Sequence, residues 1–211
     1  MLLNTMLSNF DDTKKLLLKY EIPFAKTDLA TSEREAVLLA EKIGYPVVLK
    51  VFGSQIFHRV DIGGVKTRIS NQDELKEAFS FLSKINGADG VLIQEMGQGQ
   101  EIFIGMKRDP QFGPVLMFGL GGIFVEVLKD ISFRVCPVSE KEALSMIKEI
   151  KGYPILAGIR GEKGVNIENL VKILVRVSQL SLKEENIQEI DLNPILANEK
   201  EAKAVDFKFF M

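Results

Sequence analysis

The sequence predicts an α+β protein made of two sheet-bearing lobes. Segments with helical periodicity and segments with the short apolar pattern of β-strands mix along all 211 residues. Several strand segments follow one another through short polar turns, as in KRDPQFGPV at 107–115 and LANEKEAKAV at 196–205. Such turns join antiparallel neighbours, because parallel strands need a long crossover. The length suits one functional unit, so residues 1–211 are expected to form a single domain with two lobes.

Five helices are predicted from periodicity and from end signals. Ser32 with Glu35, and Ser139 with Glu142, match the S-x-x-E capping box that starts a helix, and Gly44 ends the first of these two helices. Further helices are expected at 11–20, 71–85 and 166–181.

The strands are predicted from short apolar segments bounded by turn residues. They are expected at 47–52, 65–70, 90–96, 100–108, 114–120, 123–128, 132–138, 187–196 and 202–210. Glycine and glutamine in MGQGQ, at 96–100, interrupt two of these strands. The lobe boundary is therefore expected there, with a smaller lobe at about 22–96 and a larger lobe at about 97–211.

The composition limits the partners and the compartment. Lysine and arginine number 27 against 29 acidic residues, so the protein has no strong field to gather nucleic acid or anionic lipid, and neither is an expected partner. The apolar run GPVLMFGLGGIFVEVL is too short and too interrupted by glycine to span a membrane. A single cysteine, Cys136, fits a reducing compartment, and the N-terminal segment lacks a basic signal-peptide region. We expect a cytoplasmic protein.

The last strand pair gives the sharpest prediction of a site. If its turn is centred at 199–200, paired residue numbers sum to 399, and Asn193 lies directly across from Asp206. Directly opposed Cβ atoms are about 5 Å apart. A carboxylate beside an amide oxygen, with room for water and phosphate oxygens, suits Mg²⁺. The alternative is a solvated hairpin face, on which Asp191 and Lys208, the next pair along, form an ordinary ion pair.

Lys50 and the loop that follows it are a second candidate site. Lys50 is the only charge in the strand segment VVLKVF, and it either snorkels from a sheet edge or points its ammonium into a cleft. The loop carries His58, which is the only histidine of the chain, together with Asp61 and the glycine pair Gly63 and Gly64. A glycine-bearing loop beside a lysine can present backbone N–H groups to phosphates, although this pattern is no Walker loop. The alternative is that His58 merely fills a loop.

For several other residues the sequence allows two interpretations, a role in the site or an ordinary surface or turn position. Glu95 and Glu101 flank the expected lobe boundary, where they would meet a nucleotide or be exposed glutamates at strand ends. Arg134 and Arg160 are either bidentate phosphate donors or surface residues. The GLGG turn at 119–122 is either part of a site or simply a tight bend.

Taken together, five stretches match one family in order along the chain. They are LKVFGSQIFHRVDIGGVKTRI, IQEMGQGQEIFIGMKRDPQFGPVLMFGLGGIFVEVLKD, ISFRVCPV, ILAGIRG and EIDLNPILANEKEAKAVDFK. They resemble the ATP-grasp subunit of the ADP-forming acetate–CoA ligases, which are acyl-CoA synthetases that make ATP from ADP, phosphate and an acyl-CoA thioester. The resemblance covers nearly the whole chain from about Glu21. It implies an ATP-grasp fold with nucleotide held between two α+β lobes.

The resemblance also implies ligands for ATP or ADP and for Mg²⁺. The residues that match nucleotide-binding positions are Lys50, Gly63, Gly64, Glu95 and Glu101. In that family Lys50 would contact the phosphates, Glu95 would lie at the adenine and Glu101 would hold the ribose. Asn193 and Asp206 would bind Mg²⁺, as the hairpin register suggests independently.

The catalytic residues implied by the resemblance are His58, Asp61 and Arg160. In this family the histidine of an H-K-x-D-x-G-G segment carries phosphate, and His58 matches it. Arg59 stands where lysine is usual, so the charge is kept. Asp61 would orient the imidazole through its other nitrogen. The imidazole would take a phosphoryl group and return it to ADP.

The resemblance implies that coenzyme A chemistry belongs to a partner. The chain shows no GxGxxG fingerprint and no second domain in which coenzyme A and an acyl group react. A CoA-binding alpha subunit is therefore expected, in a hetero-oligomer. One alternative is a succinate–CoA ligase-like nucleotide subunit, against which the HRVDIGGV segment and the short chain argue. Another is a non-catalytic nucleotide-sensing ATP-grasp module, which loss of the histidine or of the metal ligands would have favoured.

Overall fold

The computed structural model of the chain describes residues 9–53, 56, 59–122, 129–159, 161 and 163–211. These residues form two compact units, and the division falls inside MGQGQ. The larger unit comprises residues 11–24 and 98–211, and the smaller unit comprises residues 9–10 and 25–97. The predicted strand at 123–128 lies outside the described residues.

Six helices and ten strands are seen in the described residues. In chain order they are α1 (Phe10–Lys19), β1 (Thr27–Ala30), α2 (Glu33–Ile43), β2 (Val47–Phe52), β3 (Val65–Ile69), α3 (Gln72–Leu82), β4 (Gly90–Glu95), β5 (Gln100–Asp109), β6 (Gly113–Leu120), β7 (Ile131–Val135), α4 (Glu140–Glu149), α5 (Tyr153–Ala157), α6 (Ile167–Lys183), β8 (Glu189–Ala197), β9 (Ala202–Ala204) and β10 (Phe207–Phe210).

The smaller unit is a four-stranded antiparallel sheet packed against two helices. Its strand order is β1-β4-β2-β3, so β2 and β4 lie in the middle of the sheet. The helices α2 and α3 contact each other and the sheet. Leu49 and Val51 of β2 and Ile93 of β4 are fully buried in the core that they share with Leu75 and Leu82 of α3. The apolar runs of the two middle strands fit their burial, because nearly every residue of both strands is buried whichever face it points to.

The larger unit is a six-stranded antiparallel sheet with helices on one face. Its strand order is β10-β8-β5-β6-β7, and β9 also pairs with β8. Alternate residues of β5, such as Ile102 and Ile104, are fully buried, as are Leu116 and Phe118 of β6. This period of two turns one face of the sheet towards the helices α4 and α6, which bury apolar residues against it.

All five predicted helices are present, and the capping box at Ser139 and Glu142 is confirmed. At α2 the Ser32 hydroxyl accepts from the Glu35 N–H at 3.3 Å, as predicted. The Glu35 carboxylate, however, accepts from the backbone N–H of Thr31 at 2.9 Å, one residue before the cap. Among the described residues, no helix has the length and apolar character that crossing a lipid bilayer requires.

Two elements were not predicted, and one predicted strand is divided. The strand β1 has four residues and carries a polar Asp28, and α5 has five residues behind Gly152. Both are too short to show a period. The expected strand at 202–210 is two strands, β9 and β10, with Asp206 in the gap between them.

Phe118→Ala tests where the core of the larger unit lies. Phe118 is fully buried and Phe112 is 60% exposed. The Phe118 variant should lose about 3–5 kcal/mol of unfolding free energy, since a buried ring is replaced by a cavity. The matched Phe112→Ala control should lose about 0.5 kcal/mol or less. Urea unfolding measures both, and equal losses would contradict this description of the core.

Candidate functional site

Lys50 occupies a middle strand of the smaller unit. It is 8% exposed and pairs with Val65 of β3 on one side and with Leu92 of β4 on the other. It lies on the face of β2 opposite to Leu49 and Val51, whose side chains form the core. A lysine that snorkels from a sheet edge would need an edge strand, so that alternative is wrong. A buried ammonium is costly unless it is paired, and its position fits the other alternative, in which it points into a cleft.

The loop between β2 and β3 closes beside Lys50. The Val51 N–H donates to the Gly64 carbonyl at 2.8 Å, and the Gly64 N–H donates to the Arg59 carbonyl at 2.7 Å. Gly63 has φ of +67°, a conformation that favours glycine. Asp61 lies in the same turn and is exposed. The structure therefore brings Lys50 and the glycine pair together, whereas His58 lies outside the described residues.

Glu95 ends the strand β4 and is held by the chain segment that precedes β1. Its backbone N–H donates to the Lys26 carbonyl at 2.9 Å, and its carboxylate Oε1 accepts from the Lys26 N–H at 3.0 Å. The two bonds fix the glutamate side chain against the backbone, so one carboxylate oxygen is already used. Glu95 is thus a fixed residue and not the freely exposed glutamate that the sequence left open.

Glu101 lies near the start of β5 in the larger unit, and the GLGG turn packs against it. The Gly121 N–H donates to the Glu101 carbonyl at 2.8 Å. A Cβ at Gly121 would lie 3.1 Å from the Glu101 backbone, and a Cβ at Gly122 would overlap the Glu101 carboxylate. Glycine at these positions lets the turn pack closely against Glu101.

The C-terminal hairpin has the predicted register. The pairs Ile195–Ala204, Leu192–Phe207 and Asp191–Lys208 all follow the rule that paired residue numbers sum to 399. Asn193 and Asp206 face each other in that register, and the Asn193 N–H donates to the Asp206 carbonyl at 3.2 Å.

Asn193 and Asp206 also have the chemistry of a metal site. Both residues are half-buried, and both side chains carry oxygen donors of the kind that Mg²⁺ prefers. No group of three or more His, Cys, Asp or Glu residues that could hold a metal occurs in the described part of the chain. A metal at the hairpin would therefore need further ligands from water or a bound molecule.

Asp191 lies beside this site, although the sequence placed it only in an ordinary ion pair with Lys208. Its Oδ1 atom is buried and has no hydrogen-bond partner among the described residues. The pKa of Asp191 is raised to about 6, chiefly by burial; the ammonium of Lys208 opposes the rise, and the carboxylates of Asp206 and Glu189 add to it. The register had already placed Asp191 on the face of Asn193, so the sequence could have added it to the candidate metal site. Its burial was not visible in the sequence.

Of the two candidate arginines, Arg134 and Arg160, the structure describes only Arg134. Arg134 donates to the Glu149 carboxylate at 2.5 Å, which fits the interpretation as a surface residue on β7. Arg160 lies outside the described residues.

Comparison with known proteins identifies one family. Residues 4–211 match the family model described as an ATP-grasp domain. The acetate–CoA ligase (ADP-forming) I subunit beta of Pyrococcus furiosus is 51% identical over 208 residues, which cover 95% of this chain and 90% of that protein. The acetate–CoA ligase (ADP-forming) I of Archaeoglobus fulgidus is 45% identical over 203 residues, which cover 93% of this chain but 30% of that protein.

Solved structures are similar over the same length. The dinucleotide forming acetyl-coenzyme A synthetase 1 of Ca. Korarchaeum cryptofilum, in complex with coenzyme A, Ca-AMPCP and HgCl⁺, has a TM-score of 0.91 and 42% identity over 95% of this chain and 91% of that chain. Another structure of that protein has a TM-score of 0.87 and 41% identity over 98% of this chain and 93% of that chain. It holds coenzyme A and Mg-AMPPCP, with the phosphohistidine segment pointing towards the nucleotide binding site.

Asp191→Asn should change how stability depends on pH. A pKa of about 6 in the folded protein, against the ordinary 3.8, means that the unfolded chain ionises first as pH rises. Stability attributable to this group is therefore lost between about pH 4 and pH 6, and ionisation at neutral pH costs about 3 kcal/mol. In chelator-treated protein, the Asn variant should gain unfolding free energy over the wild type at pH 7.5 but not at pH 4. Urea unfolding across this range measures it, and a pH-independent difference would contradict the burial of a charged Asp191.

Proposed function

The chain belongs to the ATP-grasp family, among the relatives of ADP-forming acetate–CoA ligase beta subunits, and on that premise we propose that it is the nucleotide-binding subunit of such an enzyme. It transfers phosphate between a phosphohistidine and ADP or ATP. With its partner it interconverts acyl-CoA, ADP and phosphate with carboxylic acid, coenzyme A and ATP.

The observation that carries the proposal is the register of the C-terminal hairpin. It sets Asn193 across from Asp206, and it puts Asp191, with its unpartnered buried Oδ1, on the same face. Three oxygen-bearing side chains on one face of a hairpin suit a divalent cation that also binds phosphate oxygens. A solvated hairpin face would have no reason to bury a carboxylate oxygen without a partner.

Asn193 and Asp206 are the residues that would hold Mg²⁺, and the orphaned oxygen of Asp191 fits a cation nearby. Bound there, Mg²⁺ would neutralise charge on the phosphates of the nucleotide. Two protein ligands leave most of an octahedral shell to water and phosphate, as is usual for magnesium bound with a nucleotide.

The remaining groups bind the nucleotide. The buried ammonium of Lys50 attracts phosphate charge. Gly63 and Gly64 let the loop close beside it, with their own N–H groups donating inside the loop to the Val60 and Arg59 carbonyls. Glu95 lies at the adenine, and Glu101 accepts from ribose hydroxyls. These roles are supported by the match to the family's motif and by the fixed position that each residue has within its own unit.

His58 relays the phosphoryl group. The N–P bond on the partner's phosphohistidine breaks as an N–P bond on His58 forms. That bond then breaks as the terminal phosphate oxygen of ADP takes the phosphorus. Each imidazole leaves with the protonation it began with, so no oxidant or reductant is needed. Asp61 orients the imidazole through its other nitrogen, and Arg160 donates to the phosphoryl oxygens.

A CoA-binding alpha subunit supplies the acyl chemistry. The 51% identical relative is itself named a subunit beta, and the Archaeoglobus protein is more than three times as long as the region it shares with this chain. We place the complex in the cytoplasm, because the one cysteine, Cys136, is a buried free thiol.

Reconstitution tests the proposal as a whole. The chain and its CoA-binding partner together should form ATP from an acyl-CoA, ADP and phosphate, and the chain alone should form none. The single purified chain is the control, and steady turnover by that chain would refute the division of labour.

Asp206→Ala should weaken binding of Mg-ADP by about tenfold or more, which is ~1.4 kcal/mol. Metal-free ADP should bind the variant almost as well as the wild type, because the carboxylate acts through the cation. Titration calorimetry with and without Mg²⁺ measures both affinities. Asp73→Ala, which changes an exposed aspartate of α3, is the matched control. Equal losses with and without Mg²⁺ would remove the metal assignment.

His58→Asn should leave Mg-ADP affinity nearly intact and reduce ATP formation from the phosphorylated partner to below about one thousandth, because asparagine cannot carry the phosphoryl group. In the wild type, an acid-labile, base-stable phosphate should appear on this chain during turnover. Since the chain has one histidine, the label can be assigned without further variants. ATP formation by the Asn variant at the wild-type rate would mean that phosphate passes directly from the partner to ADP.

A further inference from the structure

Three hydrogen bonds form a closed ring at the base of the loop that follows β2. The Val51 N–H donates to the Gly64 carbonyl at 2.8 Å, and the Gly64 N–H donates to the Arg59 carbonyl at 2.7 Å. The Nε–H of Arg59 completes the ring by donating to the Val51 carbonyl at 3.0 Å. We call this ring of Val51, Arg59 and Gly64 the loop clasp.

The loop clasp is tightly packed. Arg59 is 9% exposed, although arginine is rarely buried unless its donors are satisfied. A Cβ at Gly64 would lie 2.5 Å from a methyl carbon of Val51 and 2.8 Å from the Arg59 carbonyl oxygen. The side chain of Arg59 thus ties the middle of the loop back to the strand that carries Lys50.

A second anchor lies on the other side of the histidine in the chain. Ile56 is 6% exposed and belongs to the core of the smaller unit, and its N–H donates to the Gly53 carbonyl at 3.1 Å. Ile56 and Arg59 are three residues apart, and His58 directly precedes Arg59. Ile56 and Arg59 therefore bound, in the chain, the short segment that contains the histidine.

We propose that Arg59 is a positioning residue for phosphoryl transfer: its Nε–H closes the loop clasp and so fixes the chain directly after His58. This inference rests on the proposed role of His58. In-line transfer needs the reacting atoms about 3–3.5 Å apart, and a misplacement of about 1 Å costs up to a hundredfold in rate. Arg59 acts through the backbone of its neighbour and therefore affects the transfer step more than nucleotide affinity.

A different role for Arg59 would depend on its charge, with the guanidinium contacting phosphate directly. Substitution by glutamine separates the hydrogen-bonding role from the charge role. The amide nitrogen of glutamine lies at the same distance along the side chain as Nε of arginine. Arg59→Gln keeps an N–H donor for the Val51 carbonyl and loses the charge. Arg59→Met keeps an unbranched side chain and loses both the N–H donor and the charge. The exposed Arg68 of β3 supplies the matched control, Arg68→Met.

The test uses each full-length variant with the CoA-binding partner and measures phosphate transfer from the phosphorylated partner to ADP, together with Mg-ADP affinity. Arg59→Met should transfer about tenfold to a hundredfold more slowly, with Mg-ADP affinity within about threefold of the wild type. Arg59→Gln and Arg68→Met should both remain within about threefold of the wild type in both measurements. A Gln variant as slow as the Met variant would overturn the proposal in favour of a charge role, and a Met variant at the wild-type rate would overturn it as well.

Hydrogen–deuterium exchange at the Gly64 amide gives a readout that needs no turnover. Arg59→Met should speed this exchange about tenfold or more, and Arg59→Gln should leave it near the wild-type rate. Unchanged exchange in the Met variant would overturn the clasp. If Arg59→Met does not fold, the Gln variant still decides, since slow transfer by it contradicts the proposal. A wild-type chain that accepts no phosphate from the partner would refute the proposed function itself, whereas failures of the Arg59 variants alone would refute only this inference.

Discussion

The pairing register of the C-terminal hairpin is the constraint on which the candidate metal site depends. Side chains on a strand alternate between two faces, so a slip of one residue would move every side chain of β9 and β10 to the other face of the sheet. The slip would bury Lys208 and expose Phe209, which is fully buried here. The core of the larger unit therefore holds Asn193, Asp191 and Asp206 in one arrangement, and the site needs no dedicated scaffold of its own.

The same strand that carries the site also joins it to the middle of the sheet. The strand β8 pairs with β9 and β10 on one side and with β5 on the other, and β5 carries Glu101 near its start. In the smaller unit the strand β2 has the same kind of position. It holds Lys50 between β3 and β4, and it leads into the loop that Arg59 ties back to Val51. The groups that we propose to act on phosphate are thus set on middle strands, where backbone hydrogen bonds on both edges limit their movement.

The sequence predicted the parts of this arrangement that follow from local rules. The turn position alone was enough to pair Asn193 with Asp206, because antiparallel register propagates from the turn. The sequence could not predict the raised pKa of Asp191, since the burial of that carboxylate and the charges near it depend on how the strands come together. Nor could it predict the Nε–H bond of Arg59 to Val51, which joins two residues across a loop with no repeating pattern. The sites of His58 and Arg160 stay predictions from the family's motifs.

The central claim is that the hairpin pair holds the cation of a bound nucleotide. It is tested most directly by a crystal of the chain grown with ADP and Mn²⁺, in which the anomalous signal locates the metal. The account predicts one metal peak at about 2.2 Å from both the Asn193 side-chain oxygen and the Asp206 carboxylate, with phosphate oxygens completing the shell. A metal peak beside the nucleotide that contacts neither residue would contradict it.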